Sequence, residues 1–518
     1  MVGRTLMIQG TSSSAGKSLL TAALCRCFAR WGIRVAPFKA QNMSNNAAVC
    51  ADGAEIGRSQ ALQAIAAGVA PTSDMNPILL KPEGDKRSQV IINGLPLGTL
   101  EASEYFRRRS RYWSVVTSAV DRLRAEYELV VIEGAGSPAE LNLTDVELVN
   151  MSVARYCQSP VILVGDIERG GVFAQLLGTL WLLTPEDRLL VRGMIVNKFR
   201  GDLKLFDRGV EILQQRGGLP VLGVLPWIDA LRLPEEDAVA LIDSAYPDSP
   251  QGRSAGTQLD IAVIQLPHIA NFDDFDPLAS EPAVRLRYIG AVDQLGHPGV
   301  IIIPGTKNTL GDLNWLRVSG LSARIIELAE QGVIVVGICG GYQMLGRRLN
   351  NPDRVESDWT SGDGLGLLDV ETVFHHQKQT CQVRVRVTSD AVAPGIAGRW
   401  LTGYEIHAGH TQSNSNWLSR DTHSNSGVPG VEEGLGDGAV SRDGRVWGCY
   451  LHGLFHNDAF RAAWLATLGI DSDSRGTASA NQAITNSLDQ LADAFEAHVD
   501  MKQLEQIVWN PEQQHASV

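Results

Sequence analysis

The chain has 518 residues, which is too long for one hydrophobic core, so two domains or more are expected. Its hydrophobic fraction of 44% and charged fraction of 20% are ordinary for soluble globular proteins. The net charge of −13 disfavours a general nucleic-acid-binding surface, and no apolar run reaches the about 18 residues that a membrane span needs.

Residues 1–235 alternate short apolar runs with helix-like stretches. Near-continuous apolar strands separated by helices indicate a parallel sheet that is covered on both faces. We therefore expect a doubly wound α/β domain over 1–235. The predicted strands are 5–9, 33–38, 129–133, 160–165, 193–197 and 220–225, and the predicted helices are 17–31, 59–67, 103–126 and 145–156.

The first strand runs into a loop of small residues that is followed by Lys17 and Ser18 at the start of a helix. Backbone N–H groups of such a loop surround a phosphate, and the helix N-terminus and the lysine add positive charge. The spacing of the two loop glycines is one residue longer than in the usual phosphate-binding loop. The Ser18 hydroxyl is the expected Mg²⁺ ligand. The predicted nucleotide-binding residues are Gly10, Thr11, Ala15, Gly16, Lys17 and Ser18.

Two polar residues end later strands of the same domain. Glu133 closes strand 129–133 and precedes a glycine turn, and Asn197 closes strand 193–197. In an open α/β sheet, ligands bind at the carboxyl ends of the strands. We expect Glu133 to help hold Mg²⁺, and the alternative is a strand-end acid that faces solvent.

The composition changes after residue 235. Residues 236–258 are rich in Ser, Gly and Pro and have no apolar periodicity, which is typical of a linker. The α/β pattern then returns, and we expect a second doubly wound α/β domain over 259–460. Residues 461–518 are predicted to form a C-terminal helical extension with a polar tail.

The second domain contains a cysteine framed by glycines, Gly337-Ile-Cys339-Gly-Gly341, at the end of an apolar strand. This spacing permits the sharp strand-to-helix turn of a nucleophile elbow, and a helix N-terminus favours the thiolate. The N–H of Gly340 is a candidate oxyanion donor, and Gly305, in a loop after strand 300–303, is a second one. A buried structural cysteine is the less favoured interpretation.

A cysteine nucleophile needs a base. His452 follows a short apolar strand, and His407 ends the stretch Gly403-Tyr-Glu-Ile-His407. Distance along the chain does not choose between these two histidines. The remaining histidines are expected to be polar surface or structural groups.

The seven cysteines are scattered and form no Cys-x-x-Cys pair, so neither a disulfide framework nor a zinc site is expected. The first residues lack the basic and then apolar layout of a signal peptide. These observations predict a cytoplasmic protein whose partners are small molecules, not nucleic acid or membrane.

These motifs resemble known families. The long phosphate loop followed by Lys-Ser resembles the dethiobiotin synthetase branch of P-loop enzymes, which implies that Asn197 contacts the adenine. The elbow with Gln343 four residues after Cys339 resembles class I glutamine amidotransferases, and by position His452 matches their general base. Leu454 replaces the glutamate that usually stands two residues after that histidine, a departure typical of the branch that contains cobyric acid synthase and cobyrinate diamide synthase. Nearly the whole chain is similar to the cobyric acid synthase family, on stretches such as Phe38-Lys-Ala-Gln-Asn-Met-Ser-Asn-Asn46, Asp52-Gly-Ala-Glu-Ile-Gly-Arg58 and Glu133-Gly-Ala-Gly-Ser-Pro-Ala-Glu-Leu-Asn142.

The resemblance implies ATP-dependent amidation of the b, d, e and g carboxylates of adenosylcobyrinic acid a,c-diamide, through acyl phosphates and with glutamine as nitrogen donor. ATP and Mg²⁺ are the implied cofactors, and Cys339 and His452 the implied catalytic pair. Asp145 is an implied acceptor-binding residue, although a role as a helix N-cap explains it equally well. For the polar run 39–46, the alternative to an acceptor site is a solvated loop. The other implied residues are Gly305, Gly340, Gln343 and Tyr404 for glutamine and its oxyanion; Lys39, Gln41, Asn42 and Asn45 for the acceptor; and Ser18, Glu133 and Glu55 for the metal.

Two other functions are weighed against this one. Cobyrinic acid a,c-diamide synthase shares both domain types, but the Gln41-Asn-Met-Ser and Glu55-Ile-Gly-Arg runs match the first family. A nucleotide-switched regulatory ATPase with an inert second domain is disfavoured by the intact cysteine elbow and its histidine.

Overall fold

The computed structural model describes residues 2–84, 86–142, 147–228, 231–234, 258–421, 436–470 and 479–510. They form two α/β units, each built on a six-stranded and mainly parallel sheet. The expected pair of α/β domains is therefore confirmed. The predicted linker lies almost entirely outside the described residues, and the predicted domain limits stay a prediction.

The elements of the N-terminal half are numbered in chain order. The strands are β1 (Arg4–Gly10), β2 (Val35–Phe38), β3 (Gln41–Met43), β4 (Ala47–Val49), β5 (Glu55–Gly57), β6 (Ile78–Gly84), β7 (Arg87–Ile92), β8 (Leu95–Glu101), β9 (Leu129–Glu133), β10 (Val161–Asp166), β11 (Val191–Phe199) and β12 (Val221–Pro226). The helices are α1 (Lys17–Arg30), α2 (Arg58–Ala67), α3 (Ala102–Arg108), α4 (Trp113–Glu126), α5 (Met151–Cys157), α6 (Val172–Leu182), α7 (Pro185–Arg188) and α8 (Asp207–Gly217).

The main N-terminal sheet has the order β12-β11-β10-β1-β9-β2, and its strands are all parallel. Strands β9 and β10 are buried at every position because helices cover both faces of the sheet. The six predicted strands correspond to these six, with ends that agree within two residues. The carboxyl ends of β1, β9 and β11 consequently meet at one edge of the sheet, which is where ligands bind in this architecture.

Two predicted helices are wrong in extent. The single helix expected over 103–126 is divided into α3 and α4 by a tighter turn at Arg109–Tyr112, which lets the buried rings of Tyr105 and Tyr112 stack at 5.5 Å. The helix expected from residue 145 begins only at Met151. The carboxylate of Glu147 accepts the Ser152 N–H at 2.7 Å and thereby satisfies one free donor of the first helical turn.

A small sheet, β3-β6-β7-β8, is inserted between β2 and β9, and the sequence analysis did not predict it. Its β7–β8 hairpin turns at Asn93 and Gly94, which have φ values of 48° and 78°. Asn-Gly between two apolar runs is a strong hairpin signal and would have located this turn. This inserted sheet carries part of the surface that meets the second domain.

The elements of the C-terminal half continue the numbering. The strands are β13 (Leu259–Ile264), β14 (Val284–Ile289), β15 (Val300–Ile303), β16 (Ile334–Ile338), β17 (Arg348–Asn350), β18 (Ser361–Asp363), β19 (Glu371–Val387), β20 (Trp400–Gln412), β21 (Leu418–Arg420), β22 (Gly436–Asp437), β23 (Ala439–Val440) and β24 (Val446–Cys449). The helices are α9 (Asp276–Ala279), α10 (Val292–Leu295), α11 (Thr309–Val318), α12 (Leu321–Glu330), α13 (Gly340–Leu345), α14 (Asp458–Thr467), α15 (Ala480–His498) and α16 (Met501–Trp509).

The main C-terminal sheet has the order β14-β13-β15-β16-β24-β23, with only β23 antiparallel to its neighbour. A second sheet is dominated by the long β19–β20 hairpin. This hairpin packs against the N-terminal half, where Ile406 of β20 joins a buried apolar cluster with Ala47, Val49, Leu79 and Ile91. The two halves therefore share a small hydrophobic core beside the cysteine elbow.

The C-terminal helices do not form a separate unit. Helix α14 belongs to the core of the second domain through Phe460 and Trp464. Helices α15 and α16 instead return to the N-terminal half, where Phe495 is buried against α1 and Arg26 pairs with Asp489 at 2.8 Å. Among the residues that the structure describes, no helix is both long enough and apolar enough to cross a bilayer.

Candidate active sites

The phosphate loop connects β1 to α1 at the carboxyl end of the N-terminal sheet. Gly16 has a φ of 98°, and a Cβ at this position would collide with the Asn197 side-chain amide. Lys17 folds back over the loop and donates hydrogen bonds to the carbonyl oxygens of Ser12 at 2.9 Å and Gly136 at 3.0 Å. The loop and the Lys17 ammonium are thus held together at a helix N-terminus, the arrangement that binds phosphate groups.

The other predicted nucleotide residues hold this loop in place. The Thr11 hydroxyl donates to the Gln175 side-chain carbonyl at 3.1 Å, and Ala15 is fully buried. Asn197 donates from its amide to the Ala15 carbonyl oxygen at 2.9 Å. Asn197 therefore contacts the loop itself, and its contact with adenine stays a prediction.

Glu133 lies beside the phosphate loop, buried at the end of β9. Its carboxylate accepts hydrogen bonds from the Ser18 hydroxyl at 2.8 Å, the Lys39 ammonium at 2.9 Å and the Gln63 amide at 2.6 Å. Burial raises the pKa of Glu133, but Lys39 and these hydrogen bonds outweigh burial and hold the pKa below its usual value. The alternative of an acid that faces solvent is wrong, and an ionised carboxylate lies next to the Ser18 hydroxyl.

Helix α2 supplies two residues at this carboxylate that the sequence analysis did not single out. Gln63 and Gln60 both direct amide nitrogens to Glu133, at 2.6 Å and 3.4 Å. Residues three apart lie on the same face of a helix. Two buried glutamines at this spacing in an alanine-rich helix were the available signal.

The polar run 39–46 packs beside Glu133, so the alternative of a solvated loop is wrong. Lys39 and Asn42 are both buried, and the Asn42 amide donates to the Gln60 side-chain carbonyl at 3.0 Å. Gln41 accepts a hydrogen bond from the Tyr105 hydroxyl at 2.6 Å. The run is thus continuous with the predicted ATP site.

Of the two remaining residues predicted to bind the acceptor, the structure describes Asn45 but not Asp145. The side-chain carbonyl oxygen of Asn45 is buried and has no hydrogen-bond partner among the described residues. A buried acceptor without a partner is available to a ligand's N–H group. Asp145 lies outside the described residues.

The expectation that Glu55 ligates the metal is wrong. Its carboxylate pairs with Lys81 at 2.6 Å and with Lys378, which comes from the other domain. Burial raises the pKa of Glu55, but the two lysines outweigh it and lower the pKa to about 2. Because both oxygens are taken by ammonium groups, Glu55 ties the two domains together instead of joining Ser18 and Glu133.

Cys339 connects β16 to the short helix α13. Its backbone angles, φ 52° and ψ −109°, are the strained values of a nucleophile elbow. A Cβ at Gly337 would approach the Tyr342 backbone to 2.7 Å, and a Cβ at Gly341 would collide with the Ile303 carbonyl oxygen. The glycine frame is therefore a steric requirement, and the elbow predicted from it is present.

His452 follows β24 and is buried beside Cys339. Burial lowers the pKa of His452, but the charge of Asp274, the charge of a Cys339 thiolate, and hydrogen bonds donated by the imidazolium to these two groups outweigh burial and raise the pKa to about 10. The Cys339 thiol itself donates a hydrogen bond to the Ile406 carbonyl oxygen at 3.5 Å. The electrostatic interaction of Cys339 with His452 favours His452 over His407 as its partner.

Asp274 orients His452, in place of the glutamate that Leu454 replaces. Its carboxylate lies 2.7 Å from the Nδ1 atom of His452 and accepts the Gly453 N–H at 2.8 Å. Asp274 is buried in a short turn, Phe272–Phe275. Sequence analysis missed it; the signal was a pair of acidic residues enclosed by two phenylalanines after a buried strand.

His407, the competing base, has other partners. Its Nδ1 atom lies 2.7 Å from the Gly409 carbonyl oxygen and its Nε2 atom lies 3.0 Å from the Glu405 carboxylate. Its ring stacks on Tyr450 with a centroid separation of 3.8 Å. Both ring nitrogens are therefore occupied by groups other than the Cys339 thiol.

The predicted oxyanion residues surround the elbow. A Cβ at Gly305 would lie 3.2 Å from the His452 ring and 3.7 Å from the Cys339 Cβ. A Cβ at Gly340 would approach the Thr306 methyl group to 2.8 Å. Gly305 and Gly340 therefore both lie close to the cysteine elbow, and their roles as oxyanion donors stay predictions.

The two remaining residues that were predicted to bind the substrate glutamine have different surroundings. Gln343 is held on both sides of its amide, by the Thr309 hydroxyl at 3.1 Å and the Tyr450 hydroxyl at 3.1 Å. Tyr404 stacks on the ring of His452 with a centroid separation of 5.1 Å. The Gln343 side chain is therefore fixed in the lining of the cysteine site, whereas Tyr404 packs against the ring of His452.

A cavity of about 400 Å³ opens at the elbow. Its lining includes Cys339, Gln343 and His452 of the second domain together with Lys81 and Thr99 of the inserted N-terminal sheet. Its volume lies in the range of small-molecule binding sites. Because both domains contribute to its wall, the cysteine site is complete only when the domains are joined.

Comparisons with known proteins agree with this geometry. A family model described as a CobB/CobQ-like glutamine amidotransferase domain matches residues 260–460, and one described as a CobQ/CobB/MinD/ParA nucleotide binding domain matches residues 6–241. A cobyric acid synthase of Roseiflexus castenholzii is 54% identical over 471 residues, which cover 90% of this chain and 92% of the relative. A cobyric acid synthase of Sorangium cellulosum is 48% identical over 524 residues, which cover 98% of this chain and 99% of the relative. Since such identity extends over both domains, this chain belongs to the cobyric acid synthase family.

Proposed function

We propose that this chain amidates the b, d, e and g carboxylates of adenosylcobyrinic acid a,c-diamide, using ATP and ammonia released from glutamine. Membership of the family makes the chain an ATP-dependent, glutamine-using amide ligase. The observation that carries the proposal is the match to cobyric acid synthases over nearly the full length of both chains. That match favours this function over cobyrinic acid a,c-diamide synthase, which the two domain models alone do not exclude.

At the cysteine site, the proposed reaction is glutamine hydrolysis. The Cys339 sulfur attacks the side-chain carbonyl carbon of glutamine, and the N–H groups of Gly340 and Gly305 receive the oxyanion. His452, whose pKa is raised to about 10 by Asp274 and Cys339 against the effect of burial, holds the proton and passes it to the departing ammonia. Water then attacks the thioester, His452 takes a proton from that water, and glutamate leaves while the thiol is restored.

At the phosphate loop, the proposed reaction is carboxylate activation. The loop and Lys17 bind the β- and γ-phosphates of ATP, and an acceptor carboxylate attacks the γ-phosphorus. ADP leaves and an acyl phosphate forms. Ammonia then attacks the acyl carbon, which releases phosphate and leaves the amide.

Ser18 and Glu133 fit a magnesium site, because a hydroxyl and an ionised carboxylate lie 2.8 Å apart beside the phosphate loop. Hard oxygen donors of this kind suit Mg²⁺, which takes its other ligands from water and nucleotide phosphates. When bound, Mg²⁺ would neutralise charge on the β- and γ-phosphates. Lys39, which contacts the same carboxylate, and Asn45 are the residues that we propose for the acceptor.

Product analysis tests the proposal. The purified protein is incubated with adenosylcobyrinic acid a,c-diamide, ATP and glutamine, and the corrinoids are examined by mass spectrometry. Four successive replacements of OH by NH₂ are expected, and none when ATP or the nitrogen source is left out. Conversion of unamidated cobyrinic acid to its diamide, with no reaction on the a,c-diamide, would instead establish the rival synthase.

The cysteines support a proposal for the cellular location. All seven lie buried as free thiols and none forms a disulfide. Free thiols persist in a reducing compartment. We therefore propose a cytoplasmic location, to be checked by fractionation of cells that produce the protein.

A further inference from the structure

Two adjacent buried acids sit between the glutaminase site and the domain interface. Asp274 faces His452, whereas Asp273, which is fully buried, forms an ion pair with Arg58 of the N-terminal domain. Arg58 is the first residue of α2 and its side chain is only 18% exposed. The turn whose Asp274 orients His452 is thus also bound, through Asp273, to the Arg58 cation of the N-terminal domain.

Among the residues that the structure describes, none donates a hydrogen bond to either oxygen of Asp273, so the Arg58 cation is important for compensating this buried charge. A buried carboxylate that loses its cation is strongly destabilised, more so when another carboxylate is its neighbour. Arg58 also acts electrostatically on Asp274 and Tyr404, which both contact the His452 ring. Removal of the Arg58 charge therefore perturbs both supports of the histidine at once.

Backbone contacts fix the position of the pair. The Arg58 N–H donates to the Asn46 carbonyl oxygen at 3.2 Å. Asn46 in turn accepts the Asn271 N–H at 2.7 Å, and the Asn271 side chain accepts the Ala47 N–H at 3.0 Å. These reciprocal hydrogen bonds connect Asn271, which precedes the turn Phe272–Phe275, to the N-terminal domain. They therefore fix the position of Asp273 relative to Arg58.

We propose that Arg58 is a positioning residue for glutamine hydrolysis, acting through Asp273 on the turn that carries Asp274 and hence on His452. The proposal rests on the glutaminase role of Cys339 and His452. It gives the Glu-Ile-Gly-Arg run a function beyond family resemblance. Helix α2 then touches both centres, since Arg58 begins it and Gln63, further along, contacts Glu133.

The test compares Arg58→Gln, Arg58→Lys, Asp273→Asn and the double variant Arg58→Gln/Asp273→Asn in the full-length protein. Glutamate release from glutamine and corrinoid amidation from ammonium chloride are measured separately. For Arg58→Gln we expect kcat for glutamine hydrolysis to fall about 10- to 100-fold with less than about threefold change in KM, because the histidine and not the glutamine pocket is disturbed. Amidation from ammonia should stay within about twofold of the wild type.

Recovery of activity in a second variant distinguishes a positioning role of Arg58 from a general weakening of the interface between the domains. The double variant replaces an ion pair by a neutral pair, so it should recover about tenfold in kcat over Arg58→Gln. Arg58→Lys, which keeps the cation, should also exceed Arg58→Gln. The matched control is Gln382→Ala, which removes another interdomain hydrogen bond, from the Gln382 amide to the Val49 carbonyl oxygen at 2.9 Å, and should leave kcat unchanged.

Three results would overturn the proposal: wild-type kcat for glutamine in Arg58→Gln, equal losses with glutamine and ammonia, or a double variant no better than the single one. If Arg58→Gln does not fold, Asp273→Asn decides, since it removes the same pair and must show the same selective loss. Failure of the proposed function is a different observation, the absence of corrinoid amides from the wild-type protein.

Discussion

Replacing Asp274 by Asn should disable glutamine hydrolysis while leaving the fold in place. The two side chains have the same shape, but Asn carries no charge and presents an N–H as readily as a carbonyl to the Nδ1 atom of His452. The rise in the pKa of His452 from 6.5 to about 10, caused by Asp274 and Cys339 against burial, corresponds to roughly 5 kcal/mol in favour of the imidazolium. Losing the Asp274 share of this energy should slow glutamine hydrolysis about 10²- to 10⁴-fold.

The same substitution should change the pH dependence of stability. The pKa of His452 is higher in the folded than in the unfolded protein, so its ion pair contributes stability that is fully present below about pH 6.5 and lost as the pH rises toward 10. The difference in Tm between the wild type and Asp274→Asn should therefore be largest near pH 6 and shrink toward pH 10, as measured by calorimetry.

The assay for catalysis is glutamate release at saturating glutamine, with corrinoid amidation from ammonium chloride as the internal reference. Asp260→Asn is the matched control, since it makes the same chemical change in the 2.8 Å pair with Arg287 in the same domain. It should leave glutamate release unchanged. A wild-type kcat for glutamine in Asp274→Asn would refute the assignment of Asp274 as the group that orients His452.

Three further predictions concern other parts of the molecule. Cys339→Ala should abolish glutamine-dependent amidation but keep ammonia-dependent amidation within about twofold, as judged by corrinoid product masses, because only the nucleophile is lost. Lys17→Ala should lower amidation from either nitrogen source at least about 100-fold, while glutamate release from glutamine continues, because the phosphate loop loses its ammonium group; continued amidation would remove Lys17 from the site. Phe495→Ala should cost about 3–5 kcal/mol of stability in urea unfolding, since its ring is buried against α1; a cost below about 1 kcal/mol would show that α15 contributes little to that core.

The features that the sequence predicted well are those that residues adjacent in the chain determine. The phosphate loop and the cysteine elbow are each a strand, a tight turn and a helix, so Lys17 and Cys339 are placed by their own neighbours. Apolar strands buried on both faces are equally local, which explains the agreement for the first sheet. Glu133 was found because the carboxyl end of a central strand marks the ligand edge of the sheet.

What the sequence did not predict depends on partners far along the chain. Asp274 meets His452 across 178 positions, and nothing near either residue specifies the other. Glu55 was misassigned because one of its two lysine partners, Lys378, lies 323 positions away in the other domain. A carboxylate in a conspicuous run gives no sign of whether a metal or an ammonium group will neutralise it.

The return of α15 and α16 to the N-terminal half has a consequence for how the protein is made. Residues 480–509 leave the ribosome after the whole amidotransferase domain, yet they cover α1, which emerged first. Until these helices dock, a nascent N-terminal domain therefore leaves the apolar surface of α1 uncovered, and transiently exposed surface of this kind favours aggregation. The half that consumes ammonia thus completes its core only after the half that supplies ammonia has been synthesised.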